Sequence, residues 1–215
     1  MANSVEVPVM TLGGCVFLPG QYLPLRIFEA RYRRMLLATL EGSGEFAVSM
    51  RDDSRVDETD DEPSCPFTCI GRIAGHVSND DGTFDVVLEG VRRARVLGRV
   101  RSEPYPVLGV ELVPTGEDEV ESREVRSMIS ACSRLLAGGG AEGAAVLRRF
   151  ESLSGSPGCL ADAVAGIFFD DSKVRRRVLE MVSGSERFQY VLKLLGRMGW
   201  RSEIERSDSG GLGLN

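Results

Sequence analysis

Apolar and polar residues alternate along several short segments in the first half of the chain, with the two-residue period typical of β-strands that bury one face. Two of these segments flank the dipeptide Asp81-Gly82, which is typical of tight turns, so we predict a β-hairpin there. Pro8 and Pro24 lack a backbone donor, which favours strand ends or edge strands at both positions. The predicted strands cover residues 5–12, 21–25, 45–50, 67–77, 83–100 and 107–113.

The segment 83–100 is long for a strand and contains Gly90 and Gly98. Glycine within a strand often marks a bulge or a sharp bend, because it tolerates backbone conformations that other residues avoid. We therefore predict long, bent strands that form a closed or half-closed barrel.

One helix is predicted inside this β-rich part. Phe28, Tyr32, Leu36 and Leu40 recur at four-residue steps and form an apolar stripe, which ends at Gly42. At the entrance of the helix, a carboxylate and a neighbouring arginine should fix the first turn by capping or by an ion pair; these are Glu29 and Arg31. The side chains expected in the core are those of Leu25, Phe28, Tyr32, Met35 and Leu36.

In the second half of the chain the apolar period changes to about 3.6 residues, which predicts five helices. The first carries a stripe from Val125 to Leu136 and ends at three glycines, residues 138–140. Ser172 and Ser185 are expected to cap the fourth and fifth helices, and the fifth should end near Gly199. The later stripes lie at residues 147–153, 160–168, 174–182 and 188–198.

These patterns predict an α+β protein with three parts. Residues 1–115 form a β-rich subdomain, residues 116–205 a helical subdomain, and residues 206–215 a polar, glycine-rich tail that should be disordered. The stretch 51–63 contains seven acidic residues and should be a solvated loop, with a decoy or regulatory acidic segment as the alternative.

The composition limits the classes of function. The chain has 215 residues, of which 42% are hydrophobic and 27% charged, as in ordinary globular proteins. It contains no apolar run near the roughly 18 residues of a membrane span, and its N-terminus lacks the pattern of a secretory signal. Five scattered cysteines favour reduced thiols, so we expect a cytoplasmic protein without membrane association. A net charge of −6 disfavours nucleic acid as the main partner.

Few residues suit a catalytic or metal site. His76 is the only histidine, which excludes sites that require two, and Cys65 and Cys69 form a C-x3-C pair without a second cysteine pair nearby. The sequence has no Gly-Lys of a phosphate-binding loop and no G-x-S-x-G, and neither Lys173 nor Lys193 has the pattern of a lysine buried in a site. We predict no catalytic, cofactor-binding or metal-binding residues, with a carboxylate–metal enzyme as the alternative.

Three stretches of the sequence carry motifs that are similar to those of one known family. The first, residues 7–36, reads VPVMTLGGCVFLPGQYLPLRIFEARYRRML, similar to a family pattern with Pro-Gly before Pro-Leu-x-Ile-Phe-Glu-x-Arg-Tyr. The second, IGRIAGHVSNDDGTFDVVLEGVRRARVL at residues 70–97, is similar to the family's hairpin, with Arg72 where threonine is usual. The third, residues 160–195, begins LADAVAGIFF, like the family's Leu-Ala-Asp helix. Together they extend over nearly the whole chain, which resembles the substrate-binding domain of the ATP-dependent Lon protease.

The resemblance implies a PUA-like β pseudo-barrel with one inserted helix, followed by a helical bundle. It implies a non-catalytic protein that binds unfolded proteins or peptides, with an adaptor role in proteolysis or quality control and a separate Lon or other protease as a further partner. Because the sequence has no phosphate-binding loop and stops after the helices, we expect neither the ATPase nor the Ser-Lys protease domain of full Lon. A nucleic-acid-binding PUA-like protein is the alternative.

Arginines are the candidate contacts for a bound peptide. The long strand carries Arg92, Arg93, Arg95, Arg99 and Arg101, and a helix carries residues 175–177; a solvated charged face or an anionic contact would explain either group. The peptide-binding candidates are Arg26, Arg33, Arg34, Arg93 and Arg95. The sequence leaves the oligomeric state open.

Overall fold

The computed structural model describes residues 4–51, 63–114 and 119–209, with side chains described up to residue 198. The strands are β1 (Ser4–Gly13), β2 (Tyr22–Ile27), β3 (Glu45–Arg51), β4 (Phe67–Ser78), β5 (Phe84–Arg101) and β6 (Val107–Leu112). The helices are α1 (Ala30–Glu41), α2 (Ser122–Leu136), α3 (Gly140–Ser152), α4 (Pro157–Phe168), α5 (Ser172–Glu180) and α6 (Gly184–Ser209). Within these ranges no helix is long and apolar enough to cross a membrane.

The six strands form one mixed sheet that closes on itself. Its order is β2-β5-β4-β3-β1-β6, and β5 also pairs with β6, so five strands make a ring. The β1–β3 pair is parallel and the other pairs are antiparallel. β2 is the outermost strand and pairs with the first half of β5. The predicted barrel with one inserted helix is therefore confirmed.

β5 bends where its glycines lie, as predicted. Its pairing with β4 shifts at Val91, next to Gly90, and its pairing with β6 shifts between Val96 and Gly98. A Cβ atom on Gly90 would lie 2.2 Å from the carbonyl oxygen of Leu18, so any side chain there would displace backbone. Gly98 has a φ of 149°, a conformation that L-residues rarely adopt.

The two prolines lie at different kinds of position. Gly90 donates its N–H to the carbonyl of Gln21 at 2.8 Å, so these two residues are a hydrogen-bonded pair. Hydrogen-bonded and non-hydrogen-bonded pairs alternate along an antiparallel ladder, so Pro24 and Val87, three positions further, are a non-hydrogen-bonded pair. The nitrogen of Pro24 therefore points away from β5, as on an edge strand. The edge-strand prediction is thus confirmed for Pro24. Pro8 lies within a strand that has neighbours on both sides, at the point where β1 changes partner: residues 4–8 pair with β6 and residues 9–13 with β3.

Apolar side chains that alternate along the strands fill the barrel. The buried cluster comprises Val7, Val9, Ala47, Ile70, Ala94, Leu108 and Val110. From α1, Tyr32, Met35 and Leu36 are 3% exposed or less, as predicted. The hydroxyl of Tyr32 accepts the N–H of Thr11 at 3.4 Å, which satisfies a buried polar pair.

The prediction that Phe28 belongs to the core is wrong. α1 begins at Ala30, and Phe28 is 65% exposed. It directly follows β2, in which Tyr22, Pro24 and Arg26 are exposed on alternate positions, and Phe28 continues that alternation. The four-residue spacing to Tyr32 therefore does not belong to a single helix.

The predicted helices exist, with shifted boundaries. Asp171, not Ser172, caps α5, because its carboxylate accepts the N–H of Lys173 at 2.8 Å. Ser183, not Ser185, precedes α6, and its hydroxyl accepts the N–H of Glu186 at 3.3 Å. α6 continues past Gly199 and includes residues 206–209 of the predicted tail. Residues 210–215, and residues 52–62 of the acidic stretch, lie outside the described part of the chain.

The chain divides into two compact units, each made of two segments. The barrel unit comprises residues 1–114 and 165–182, and the helical unit comprises residues 115–164 and 183–215. The first boundary lies one residue from the predicted one, but residues 165–182 group with the barrel and not with the other helices. Within the barrel unit, the guanidinium of Arg93 donates to two carbonyls at the end of α5, one of the contacts between this segment and the strands.

Candidate binding groove on the barrel

An open groove runs across the outer face of β2, β5 and β4, the three strands at one side of the barrel. The register places their residues in two cross-strand rows, Pro24–Val87–Gly75 and Arg26–Asp85–Val77. Leu25, Val86 and His76 lie between the two rows, and the groove that these nine residues line, here called the outer groove, has a volume of about 680 Å³.

The floor of the outer groove is apolar, and at Gly75 it has no side chain. A Cβ atom on Gly75 would meet no atom within 4 Å, so the space above this residue is open. Beside it, Val87 is 39% exposed and Val77 is 62% exposed, which is unusual for valines on neighbouring strands. The gap above Gly75, bordered by valine and proline, has the size and chemistry to receive an apolar side chain.

Two exposed aromatic residues extend this apolar surface along β2. Tyr22 is 50% exposed and precedes the groove, and Phe28 is 65% exposed and follows the end of the strand. Both share the exposed alternation of Pro24 and Arg26. Clusters of exposed apolar residues on a monomer often mark an interaction surface, because leaving them in water costs free energy that a partner would recover.

The charged residues at the rim are already paired within the protein. Arg26 donates to the carboxylate of Asp81 at 3.1 Å and to the hydroxyl of Thr83 at 3.3 Å. Asn79 donates from its side-chain amide to Asp85 at 2.9 Å. Hydrogen bonds from Thr83, and then the charge of Arg26, lower the pKa of Asp81. The rim therefore presents little unsatisfied charge to a ligand.

The β4–β5 turn, residues 79–83, lies next to the row Arg26–Asp85–Val77 at one end of the groove. Asn79 and Thr83 are joined by a backbone hydrogen bond of 2.9 Å, and Gly82 adopts a φ of 75°. Thr83 donates its N–H and its hydroxyl to Asp81. The hairpin predicted from Asp81-Gly82 is thus confirmed, and Gly82 supplies the positive φ that the turn needs.

The predicted arginine contacts are brought together only in part. Arg26 lines the outer groove, and Arg33 reaches the β4–β5 turn, where it donates to the carbonyl of Gly82 at 3.1 Å. Arg34 is exposed and donates to Ala30 on its own helix. Arg31 pairs with Glu29 at 2.9 Å, so the helix entrance has the ion pair and no side-chain cap.

The other two candidates lie away from the groove. Arg93 is 6% exposed, and its guanidinium donates to the carbonyls of Leu179 and Val178 at 2.7 and 3.1 Å. Arg95 lies over the ring of Phe67 and pairs with Glu111. We therefore leave Arg93 and Arg95 out of the proposed contact surface. Sequence reasoning overlooked Val77 and Val87, although the apolar run at residues 86–88 indicates a strand with apolar residues on both faces.

The arginines of β5 do not form an open basic surface. Arg92 and Arg72 both pair with Glu45, and Arg95 pairs with Glu111. Arg101 lies over the ring of Tyr105, 5.4 Å from its centroid. Because affinity for nucleic acid comes from clustered cations that are available to phosphates, this arrangement does not favour the nucleic-acid alternative.

The five cysteines are free thiols, and among the described residues no group of three histidine, cysteine or acidic side chains could hold a metal ion. The Cys65 thiol is buried and donates to Glu180 at 3.8 Å, and burial raises its pKa. Burial raises the pKa of Cys132 to about 12. These two thiols are therefore protonated at neutral pH and are weak nucleophiles.

Comparison with known families identifies the kind of domain. Residues 6–197 match the model of the ATP-dependent protease La (LON) substrate-binding domain. The chain belongs to this family. The Lon substrate-binding domain thus extends through both compact units, and it includes the outer groove and all three stretches that carry the sequence resemblance.

Relatives of this Lon substrate-binding domain are much longer proteins. Lon protease of Brevibacillus choshinensis is 23% identical over 205 residues, which cover 94% of the chain and 26% of that relative. Lon protease 2 of Desulfotalea psychrophila is 28% identical over 207 residues, 93% of the chain and 26% of the relative. The chain therefore spans about a quarter of the length of the curated relatives it matches.

Solved structures share the fold. A Lon N-terminal domain protein from Xanthomonas campestris superposes with a TM-score of 0.63 at 23% identity, covering 88% of this chain and 98% of that one. The N-terminal domain of Mycobacterium avium complex Lon protease gives a TM-score of 0.62 at 22% identity, covering 89% and 98%. At this level of identity the likeness establishes the fold of the Lon N-terminal domain.

Proposed function

We propose that this Lon substrate-binding domain binds apolar segments of unfolded polypeptides in the outer groove and has no catalytic activity of its own. The observation that carries the proposal is the pair of exposed valines, Val77 and Val87, beside the open space above Gly75. Unfolded proteins expose large apolar side chains that folded proteins bury, so such a surface distinguishes the two states.

The mode of binding follows from the edge of β2. Strand addition relies on a continuous row of backbone donors and acceptors, and Pro24 removes a donor from the outward edge. Side-chain contact is the better-supported mode. An apolar side chain that enters above Gly75 would adjoin Val87 and Val77, and burying one such side chain contributes about 1.5–3 kcal/mol.

This mode favours weak, general recognition. Two or three buried side chains, less the cost of ordering the segment, correspond to a Kd on the order of tens of micromolar. No directional backbone contact is required, so many sequences would bind. Weak and general affinity suits a domain that samples unfolded chains and passes them on.

We further propose that the protein acts as an adaptor that presents bound segments to a separate Lon or other protease. The support is the family, whose model describes a substrate-binding domain, and the Lon proteases of which the chain covers about a quarter. Purified protein should therefore leave casein intact with or without ATP, and should increase its degradation when the cognate protease is added.

A titration tests the binding proposal. A fluorescently labelled, reduced and carboxymethylated protein serves as the unfolded ligand, and its folded form serves as the control. We expect saturable binding of the unfolded form, weakened at least about 5-fold by Val77→Lys or Val87→Lys, each of which places a charge where an apolar group is buried. Leu37→Lys is the matched control, because Leu37 is 49% exposed on α1 and does not line the groove.

Two results would contradict this proposal. Equal binding by the wild type and both valine variants would show that the outer groove is not the binding site. Saturable binding of a single-stranded RNA that weakens steeply with salt, together with no binding of the unfolded protein, would favour the nucleic-acid alternative.

A further inference from the structure

The β4–β5 turn determines where one end of the outer groove lies. Val77 precedes the turn by two residues and Asp85 follows it by two, and both line the groove. A displacement of the turn would carry these two side chains with it, because they belong to the same hairpin. Contacts that fix the position of the turn therefore also fix the positions of Val77 and Asp85 in the groove.

Two arginines from outside the hairpin reach the turn. Arg26 of β2 donates to Asp81 and Thr83, and Arg33 of α1 donates from Nη1 to the carbonyl oxygen of Gly82. Arg26 itself lines the groove, whereas Arg33 does not. The turn is thus tied to two different elements of the barrel unit, one of which has no contact with the ligand space.

The helix that carries Arg33 is firmly placed. Tyr32, Met35 and Leu36, on either side of Arg33, are at most 3% exposed. Packed side chains allow little movement, so the backbone of α1 at Arg33 is a fixed point. Because its backbone is fixed and its side chain is half-buried, Arg33 loses less conformational entropy when it makes this hydrogen bond.

The absence of a side chain at Gly82 leaves space for the guanidinium of Arg33. A Cβ atom on Gly82 would lie 3.1 Å from Nη1 of Arg33, a tighter distance than side chains normally tolerate. Gly82 therefore serves two purposes: it adopts the positive φ of the turn, and it leaves room for the guanidinium beside its own carbonyl.

We propose that Arg33 is a positioning residue of the outer groove, which holds the β4–β5 turn against α1 and so keeps Val77 and Asp85 in the geometry that binds an apolar segment. This inference rests on the proposed function of the groove. The ion pair between Arg26 and Asp81 is a second contact that fixes the same turn. Each of the two contacts, Arg33 with Gly82 and Arg26 with Asp81, partly compensates for loss of the other.

The test combines binding with amide hydrogen exchange in the full chain. Arg33→Ala should weaken binding of the carboxymethylated unfolded protein about 5-fold, because a hydrogen bond from a charged donor is lost. It should also speed exchange at residues 79–83 and leave exchange in α1 unchanged. Arg33→Lys retains a donor and should restore most of the affinity. Arg34→Ala is the control, since Arg34 donates within its own helix.

A double variant makes the test sharper. Arg33→Ala combined with Asp81→Ala should weaken binding by more than the product of the two single effects, since only the hydrogen bond from Arg26 to the Thr83 hydroxyl would still connect these elements to the turn. If Arg33→Ala does not fold, Arg33→Met, which keeps most of the length of the side chain but has no donor for the Gly82 carbonyl, decides the same question: faster exchange at residues 79–83 supports the role of Arg33, and wild-type exchange overturns it.

The outcomes separate the two proposals. Wild-type affinity in Arg33→Ala, with loss of affinity in Val87→Lys, would overturn the role of Arg33 and leave the proposed function standing. Wild-type exchange at the turn in Arg33→Ala would overturn it equally. Absence of saturable binding by the wild type would overturn the proposed function itself.

Discussion

Nε of Arg93 lies 2.7 Å from the carbonyl oxygen of Leu179, so a strand of the barrel binds the end of α5. The same guanidinium donates to Val178 at 3.1 Å. The last carbonyls of a helix have no partner within the helix, and here a buried cation satisfies two of them. This pair of hydrogen bonds joins residues 165–182 to the barrel unit, although they are distant from it in sequence.

Loss of this guanidinium should destabilise the barrel unit. Arg93→Ala removes both hydrogen bonds and leaves two carbonyls of α5 without their donor, so we expect the free energy of unfolding to fall by about 2–4 kcal/mol. Urea unfolding followed by circular dichroism measures it. Arg95→Ala is the matched control two residues away, because that side chain is half exposed and its partner Glu111 is 3.6 Å away; an equal loss in both variants would contradict the assignment.

Phe28 and Tyr32 should respond in opposite ways to truncation. Phe28→Ala removes an exposed ring, so the free energy of unfolding should change by less than about 1 kcal/mol, whereas Tyr32→Ala should cost about 3–5 kcal/mol. Chemical denaturation compares the two. Phe28→Ala should instead weaken binding of unfolded protein, because the ring extends the apolar surface of the outer groove. A loss above 3 kcal/mol for Phe28→Ala would return this residue to the core.

Two glycines on neighbouring strands should tolerate alanine very differently. Gly90→Ala places a Cβ atom 2.2 Å from the carbonyl oxygen of Leu18 and should cost at least about 3 kcal/mol of stability. Gly75→Ala meets no atom within 4 Å and should fold with near wild-type stability. Thermal unfolding distinguishes them. Gly75→Ala should still weaken the binding of large apolar side chains, since the added methyl occupies the open space of the groove.

The helical unit contains a buried ion pair. Asp162 and Nε of Arg187 are 3.0 Å apart, with side-chain exposures of 2% and 5%, and Arg187 also reaches the carbonyl of Gly158 at 3.4 Å. Asp162→Ala leaves a buried cation without its counter-ion and should cost about 3–5 kcal/mol. Asp170→Ala, at a fully exposed carboxylate, is the control. Equal unfolding midpoints for the two variants would show that the pair is not a stabilising contact.

Much of the fold is readable from the sequence because strand and helix periods differ. Alternation along several segments, together with residues that favour strands, locates all six strands, and Asp81-Gly82 identifies the hairpin, because only certain residues adopt the turn backbone. Phe28 was misassigned for a physical reason: a four-residue spacing that spans a strand end and a helix start looks the same as a helical stripe. The start of α1 at Ala30 depends on tertiary packing, which the spacing does not report.

The candidate site was less readable, since it depends on exposure and register. Arg93 and Arg95 lie two residues apart on one strand, yet one is buried against α5 and the other faces solvent. Val87 looks like an ordinary strand residue until its pairing places it beside Gly75, which lies two residues before Val77 on β4. The grouping of residues 165–182 with the barrel depends likewise on long-range contacts that no local pattern contains.

Photo-crosslinking of a bound apolar peptide tests directly whether the outer groove is the binding site. A short peptide carries photo-leucine at its centre, is bound to the full chain, irradiated, and mapped by mass spectrometry. If the segment binds in the outer groove, crosslinks should be concentrated at Pro24, Val77 and Val87, and Val87→Lys or excess unlabelled unfolded protein should abolish them. Crosslinks concentrated in the helical unit, for instance at the pocket lined by Val125 and Ile129, would contradict it.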